Sequence, residues 1–321
     1  MIDLTEQSSL ELLHSLPLWK QNEILISSES AGDSNMNLVL RVKTNSRSVI
    51  LKQSKSFVRK FPQIPAPIER IEIELRYYQL FEDDELLSSC SPKVIIYNKE
   101  NHILLLEDLG NGTDFSAIYA PDYTWDINDF HSLSQYLNSL HDLQVSNFPE
   151  NVEMKKLNHE HLFHYPFMEE NGFDLDTIQP GLQDLSLAYK RDTQLKSALE
   201  LLGKRYLSQG TTLLHGDFYP ASWLKTANGV KFIDTEFAYM GDREFDLGVL
   251  FAHFALAKMD ARLQSDFLKI YQHSYSELLV NAYLGMEIMR RLIGIAQLPL
   301  SLTLADKKLL LERARKLILA Q

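Results

Sequence analysis

The chain has 321 residues, enough for two domains or one large domain of two lobes. With 43 acidic against 32 basic residues its net charge is −11, which argues against nonspecific binding to nucleic-acid phosphates. Cys90 is the single cysteine, so an internal disulfide and a thiolate metal cluster are excluded, and a reducing cytoplasm fits best.

The N-terminal "MIDLTEQSSLELLHSLPLWK" lacks the basic segment and apolar core of a signal peptide. The apolar run "LGVLFAHFALA" at 247–257 is too short to span a bilayer, so a cytoplasmic protein without membrane contact is expected. "NLVLRVKT" and "SVILKQS" are β-branched runs joined by "NSRS", a hairpin signal. After the breakers Pro62, Pro65 and Pro67, the spacing of Ile68, Ile71, Leu75 and Tyr78 predicts a helix through "IERIEIELRYYQLFEDDELL". "KVIIYNKENHILLLEDLG" reads as a second hairpin turning at 98–101. Beyond Gly112 the pattern becomes helical, over 128–144, 181–207, 243–258, 262–278 and 280–296. Only "TTLLHG", "SWLKT" and "VKFIDT" carry strand character there. A small α/β lobe followed by a larger helical lobe invites a ligand between them.

The chemistry concentrates in "HGDFYPASWL" and the "VKFIDTEF" that follows it. Asp217 precedes a turn, Ser222 lies five residues on, and Asp234 and Glu236 close the next strand-like run. Phosphoryl transfer needs a base or positioner for the attacking hydroxyl and hard oxygen ligands for magnesium. In a strand, residues two apart share a face, so Asp234 and Glu236 could reach one ion together.

These residues resemble the catalytic segment of the aminoglycoside phosphotransferase and choline kinase-like family, small-molecule relatives of protein kinases. Most members carry Asn where this chain has Ser222. The methylthioribose kinase branch carries Ser there, and Asp-x-Glu at the metal site, as here. The resemblance implies an α+β, protein-kinase-like bilobal fold. A small, β-rich nucleotide-binding lobe would span 1–110, and a mainly helical catalytic and substrate-binding lobe 111–321. It implies ATP and Mg2+ as cofactors, Asp217 as catalytic base or positioner, and Asp234 and Glu236 as metal ligands assisted by Ser222.

"GDSNMNLVLRV" resembles that branch's phosphate loop, which implies nucleotide contacts at Gly32 and Asn35, with Ser34 in place of a second glycine. Lys52 in "VILKQ" sits as a kinase lysine does on its third strand. Its carboxylate partner would be Glu69, Glu72 or Glu74, and register against the family favours Glu74. The backbone from Glu107 to Leu109 would meet adenine. "MRRLIGIAQL" resembles a segment whose paired arginines contact the sugar, here Arg290 and Arg291, although consecutive helix residues point about 100° apart. Asp246 matches an acid that anchors the catalytic loop. His159, His161 and His164 form a weak zinc pattern without a fourth ligand.

The expected activity is ATP-dependent phosphorylation of a hydroxyl, on 5-methylthioribose or a related pentose. The alternatives are an aminoglycoside or amino alcohol as acceptor, or a catalytically inactive nucleotide-binding regulator. Expected partners are a small-molecule hydroxyl substrate and a second copy of the chain, with neither nucleic acid nor membrane. Phe218, Tyr219, Pro220 and Ala221 depart from the branch's usual Leu-His-Thr-Gly, and Gln297 stands where members usually have His, which leaves the sugar open.

Overall fold

The computed structural model describes residues 1–32 and 34–320, so Asp33 of the expected phosphate turn lies outside the described residues. Two compact units form. The first joins Met1–Thr113 to Thr226–Ala238, and the second joins Asp114–Lys225 to Tyr239–Gln321. The chain crosses to the second unit after Thr113, and residues 226–238 return to the first.

In the first unit, five antiparallel strands run in the order Leu25–Ser30, Leu38–Thr44, Ser48–Gln53, Ile103–Glu107, Val94–Asn98. Leu38, Leu40 and Val42 alternate onto one face with Val49, Leu51, Ile103 and Leu105. Leu4, Leu13, Leu16 and Leu18 of the N-terminal segment cover that face. Each such residue contributes roughly 1.5–3 kcal/mol by leaving water. Lys52, one residue on from Leu51, therefore points to the opposite face, paired in register with Val39 and Leu104.

The helix expected over 68–87 is two helices, Arg70–Gln79 and Glu85–Ser89. Asp84 explains the break. Its extended backbone and its carboxylate, which accepts from Leu87 N at 2.8 Å, cap the second helix and cannot continue the first. The same device splits the expected 181–207 into Leu182–Lys190 and Thr193–Leu207, with Asp192 accepting from Leu195 N at 3.0 Å.

In the second unit, Thr212–Leu214 pairs antiparallel with Tyr239–Gly241. Helix Glu244–Leu256 packs against Glu277–Ile293, where a Cβ on Gly248 would meet Tyr283 Cβ at 2.5 Å and Leu284 N at 2.9 Å. Only glycine permits that approach. The helix expected over 262–278 stops at Ile270, and Ser276 caps the next one. Among the described residues no helix is long and apolar enough to cross a membrane.

Candidate active site

The first unit holds a buried charge cluster. Lys52 Nζ donates to Glu74 Oε1 at 2.8 Å and to Asp234 Oδ1 at 2.7 Å. Glu74 also accepts from Tyr78 Oη at 3.2 Å. Of the three candidate glutamates, Glu74 is the one the helix aims at Lys52, whereas Glu72 accepts from Tyr97 Oη. Burial alone would lower the Lys52 pKa, but Asp234, Glu74 and Glu236 outweigh it and hold the ammonium charged. One ammonium serves both Glu74 and Asp234. Burial, with Asp234 and Glu236 nearby, therefore pushes Glu74 up to about 7 against the pull of Lys52.

Asp234 and Glu236 do not lie on a strand. The strand Gly229–Phe232 ends before them, and Asp234 adopts a left-handed conformation, φ 62° and ψ 53°, at the start of a 3-10 turn over Thr235–Phe237. The strand-face argument for a shared ion therefore fails, and the two carboxylates differ in kind. Asp234 keeps 45% of its side chain exposed beside Lys52. Glu236 is 4% exposed and is held by Asn37 Nδ2 at 2.9 Å and Arg70 Nε at 3.0 Å. Burial raises the Glu236 pKa, with Arg70 and Lys52 opposing.

Arg70 was not singled out in the sequence. It is fully buried and donates to Asn37 Oδ1, Lys55 O, Pro67 O and Met36 O at 2.6–3.0 Å, which ties the end of the 32–37 segment to Glu236. Nothing in its local pattern marks it, because its partners are mostly backbone carbonyls set by the fold. At the start of that segment Gly32 has φ 122°, accessible to glycine and strained for other residues. The carbonyl of Asn35 accepts from Lys60 N at 3.1 Å. At the far end of the sheet, Glu107 N donates to Lys93 O at 2.9 Å, and Leu109 is half-buried. Asp108 between them was also missed. Arg41 grips it through Nε at 2.9 Å and Nη2 at 3.0 Å, and fixes the connector by a further bond to Gly110 O at 2.8 Å.

A hard-oxygen cation such as magnesium fits this donor set in composition. Asp234 offers an exposed carboxylate, Glu236 sits two residues away in sequence, and magnesium takes its remaining ligands from phosphate and water. Among the described residues there is no group of three or more His, Cys, Asp and Glu side chains arranged to hold a metal unaided. His159 and His164 instead pair with Glu160, at 3.3 and 2.6 Å, within the π-helical turn Glu160–His164.

The second unit holds the Asp217 loop. Asp246, fully buried in the first turn of its helix, accepts from His215 N at 2.8 Å and Gly216 N at 3.1 Å. His141 Nε2 lies 3.3 Å from the same carboxylate and packs with Tyr271. Gly216 turns the chain at φ 80°. Beyond it the loop closes on the Asp217 carbonyl, which accepts from Tyr219 N and from Ser222 Oγ, both at 3.0 Å. The hydroxyl of Ser222 thus braces the loop backbone. Phe218, fully buried, stacks on Tyr136 with ring centroids 5.8 Å apart, so the first departure from the branch's pattern faces the core.

Arg290 and Arg291 lie in the last turn of helix Glu277–Ile293, and both reach back to Glu287. Arg290 Nη1 bonds both carboxylate oxygens at 2.8–2.9 Å, and Arg291 Nε donates to Oε1 at 2.6 Å. Spacings of three and four residues overcome the 100° between the arginines. That Glu-x-x-Arg-Arg spacing was readable in the sequence. The guanidinium of Arg291 also lies 4.7 Å from the centroid of the Tyr219 ring, so the second departure faces Arg291. Burial would lower the Arg291 pKa, but Glu287, Tyr219 and Asp217 raise it further, and the cation is permanent.

A family model described as "Phosphotransferase enzyme family", APH, matches residues 32–288. A methylthioribose kinase of Enterobacter sp. (strain 638) is 27% identical over 72% of this chain and 60% of its own length. One from Geobacillus sp. (strain WCH70) is 27% identical over 79% and 65%. The chain thus spans less than two thirds of the length of these curated relatives. Among solved structures, the choline kinase LicA from Streptococcus pneumoniae aligns with a TM-score of 0.53 at 16% identity, over 92% of this chain and 94% of that one, which shows the kinase-like fold.

Proposed function

Because the chain belongs to the APH phosphotransferase enzyme family, we propose that it transfers the terminal phosphoryl group of ATP to a hydroxyl of a neutral sugar, 5-methylthioribose or a related pentose. The observation that carries this reading is Lys52 held between Glu74 and Asp234 at 2.7–2.8 Å. A permanently charged ammonium fixed in place suits nucleotide phosphates, and an exposed Asp beside it suits their counter-cation. Magnesium, when bound, would offset the charge on the phosphate oxygens. Asp234 and Glu236 would hold it, with Ser222 supporting the loop.

Asp217 would accept a hydrogen bond from the acceptor hydroxyl, orient it and receive its proton as the bond to phosphorus forms. The bond from phosphorus to the ADP oxygen breaks in the same transfer. Arg290 and Arg291 would donate to ring and hydroxyl oxygens of the acceptor, since guanidinium groups accept no hydrogen bonds. Two arginines share one carboxylate, so the cluster carries an excess positive charge. That favours a neutral polyol over a polycation.

The purified protein supplied with Mg·ATP should turn over 5-methylthioribose or ribose with higher kcat/KM than kanamycin or choline. Faster turnover of kanamycin or choline would overturn the sugar assignment, and magnesium-dependent ATP binding without turnover of any acceptor would favour a regulator. Calorimetry with a non-hydrolysable ATP analogue tests the metal half. Asp234→Ala should weaken binding in magnesium by at least about tenfold, near 1.4 kcal/mol, and should change little without magnesium. Equal affinity of the two proteins in magnesium would remove Asp234 from that role.

A further inference from the structure

Behind the arginine pair runs a buried polar chain that the reaction as proposed does not use. Tyr119 Oη lies 2.6 Å from His253 Nδ1, and His253 Nε2 lies 3.2 Å from Glu287 Oε1. Tyr119 is 5% exposed, and His253 and Glu287 are fully buried. The chain ends on the carboxylate that holds Arg290 and Arg291, and the Tyr219 ring covers His253 with centroids 5.5 Å apart.

We propose that Tyr119 and His253 are positioning residues for the acceptor: their hydrogen-bond chain orients the Glu287 carboxylate, which holds Arg290 and Arg291, the latter against Tyr219 of the Asp217 loop. The inference rests on the sugar-kinase reading only for what the arginines bind. The chain has a single direction. A neutral imidazole accepts from the Tyr119 hydroxyl at Nδ1 and donates to Glu287 from Nε2, so the hydroxyl proton and both ring nitrogens are satisfied. A protonated ring would turn Nδ1 into a donor and leave Tyr119 without its acceptor.

The surroundings favour the neutral ring. Burial pulls His253 down to about 4, with Arg291 and Arg290 acting in the same direction against Glu287. Glu287, despite its burial, is held well below the usual carboxylate range by Arg290 and Arg291. Burial keeps the Tyr119 phenol protonated. The groups facing His253 are thus Tyr119 from the 3-10 turn Phe115–Tyr119, Tyr219 from the loop, and Glu287, Arg290 and Arg291 from one helix. His253 adds a third donor to the Glu287 carboxylate beside the two guanidiniums, and it comes from a different helix. Removing that bond leaves Glu287 held by the two arginines alone, with Arg291 charged and buried.

The test uses the full chain with Tyr119→Phe, His253→Phe and His253→Gln. It reads the KM and kcat for 5-methylthioribose, the KM for Mg·ATP, and solvent exchange of the Arg291 Nε–H by NMR without acceptor. Loss of one neutral hydrogen bond should raise the acceptor KM about 2–10-fold in Tyr119→Phe. The increase should be larger in His253→Phe, with kcat and the ATP KM near wild type. Arg291 exchange should quicken in both variants. His253→Gln, whose amide can accept from Tyr119 and donate to Glu287, should recover most of both effects. Unchanged Arg291 exchange in Tyr119→Phe or a folded His253→Phe would overturn the inference, whatever the change in Tm. If His253→Phe fails to fold, Tyr119→Phe, which loses a single oxygen, decides alone. If no pentose is turned over yet exchange quickens, the sugar reading fails and the positioning role stands.

Discussion

Asp217→Asn should lower kcat by about 10²–10⁴-fold while Mg·ATP binding stays near wild type. The amide keeps the shape of the carboxylate, but it cannot receive the hydroxyl proton. The loop should survive the change, because its bracing bonds run to backbone atoms: Tyr219 N and Ser222 Oγ to the Asp217 carbonyl, His215 N and Gly216 N to Asp246. Steady-state kinetics on the identified acceptor, with calorimetry for the nucleotide, separates the two effects. Turnover within a few-fold of wild type would show that the proton goes elsewhere.

Arg70→Met should destabilise the protein by about 3–5 kcal/mol, the usual cost of breaking a buried ion pair from one side. The loss takes the guanidinium partner from Glu236, which is 4% exposed and stays bonded to Asn37, and removes one donor each from the carbonyls of Met36, Lys55 and Pro67. Glu236 already has a raised pKa, so without Arg70 it should take up a proton. Denaturant unfolding measures the first effect. Weaker magnesium dependence of nucleotide binding, in whatever fraction folds, would report the second. A loss below about 1 kcal/mol, the range of exposed pairs, would mean that the pair is not buried in solution.

The strands that build the first unit were legible because period-two alternation survives in Leu38, Leu40 and Val42 and in Val49 and Leu51. Lys52 could be placed for the same reason. The strand Leu25–Ser30 was not legible, because its edge sequence LISSES buries a single residue, Leu25. Helix boundaries failed where a single Asp or Ser, at 84, 192 or 276, took the cap position inside an apolar run. Short motifs singled out Asp217, Asp234 and Glu236 as candidates. Arg70, Asp108, Glu287 and His253 act through partners distant along the chain or through backbone carbonyls, and residue type alone does not announce such contacts. The strand-face reading of Asp234 and Glu236 failed because the chain turns left-handed at Asp234, a conformation that aspartate tolerates better than most residues.

The return of residues 226–238 to the first unit bears on the order in which the chain can be made. Thr113 leaves the ribosome long before Ala238. At roughly 5–20 residues per second the delay is on the order of ten seconds. During that interval Lys52 has Glu74 but not Asp234, and Arg70, fully buried in the finished protein, lacks Glu236. The amino-terminal 113 residues should therefore not mature as an independent nascent domain. A fragment cut there would leave two cations incompletely paired, which marks it as a substrate for chaperones rather than a minimal nucleotide-binding module.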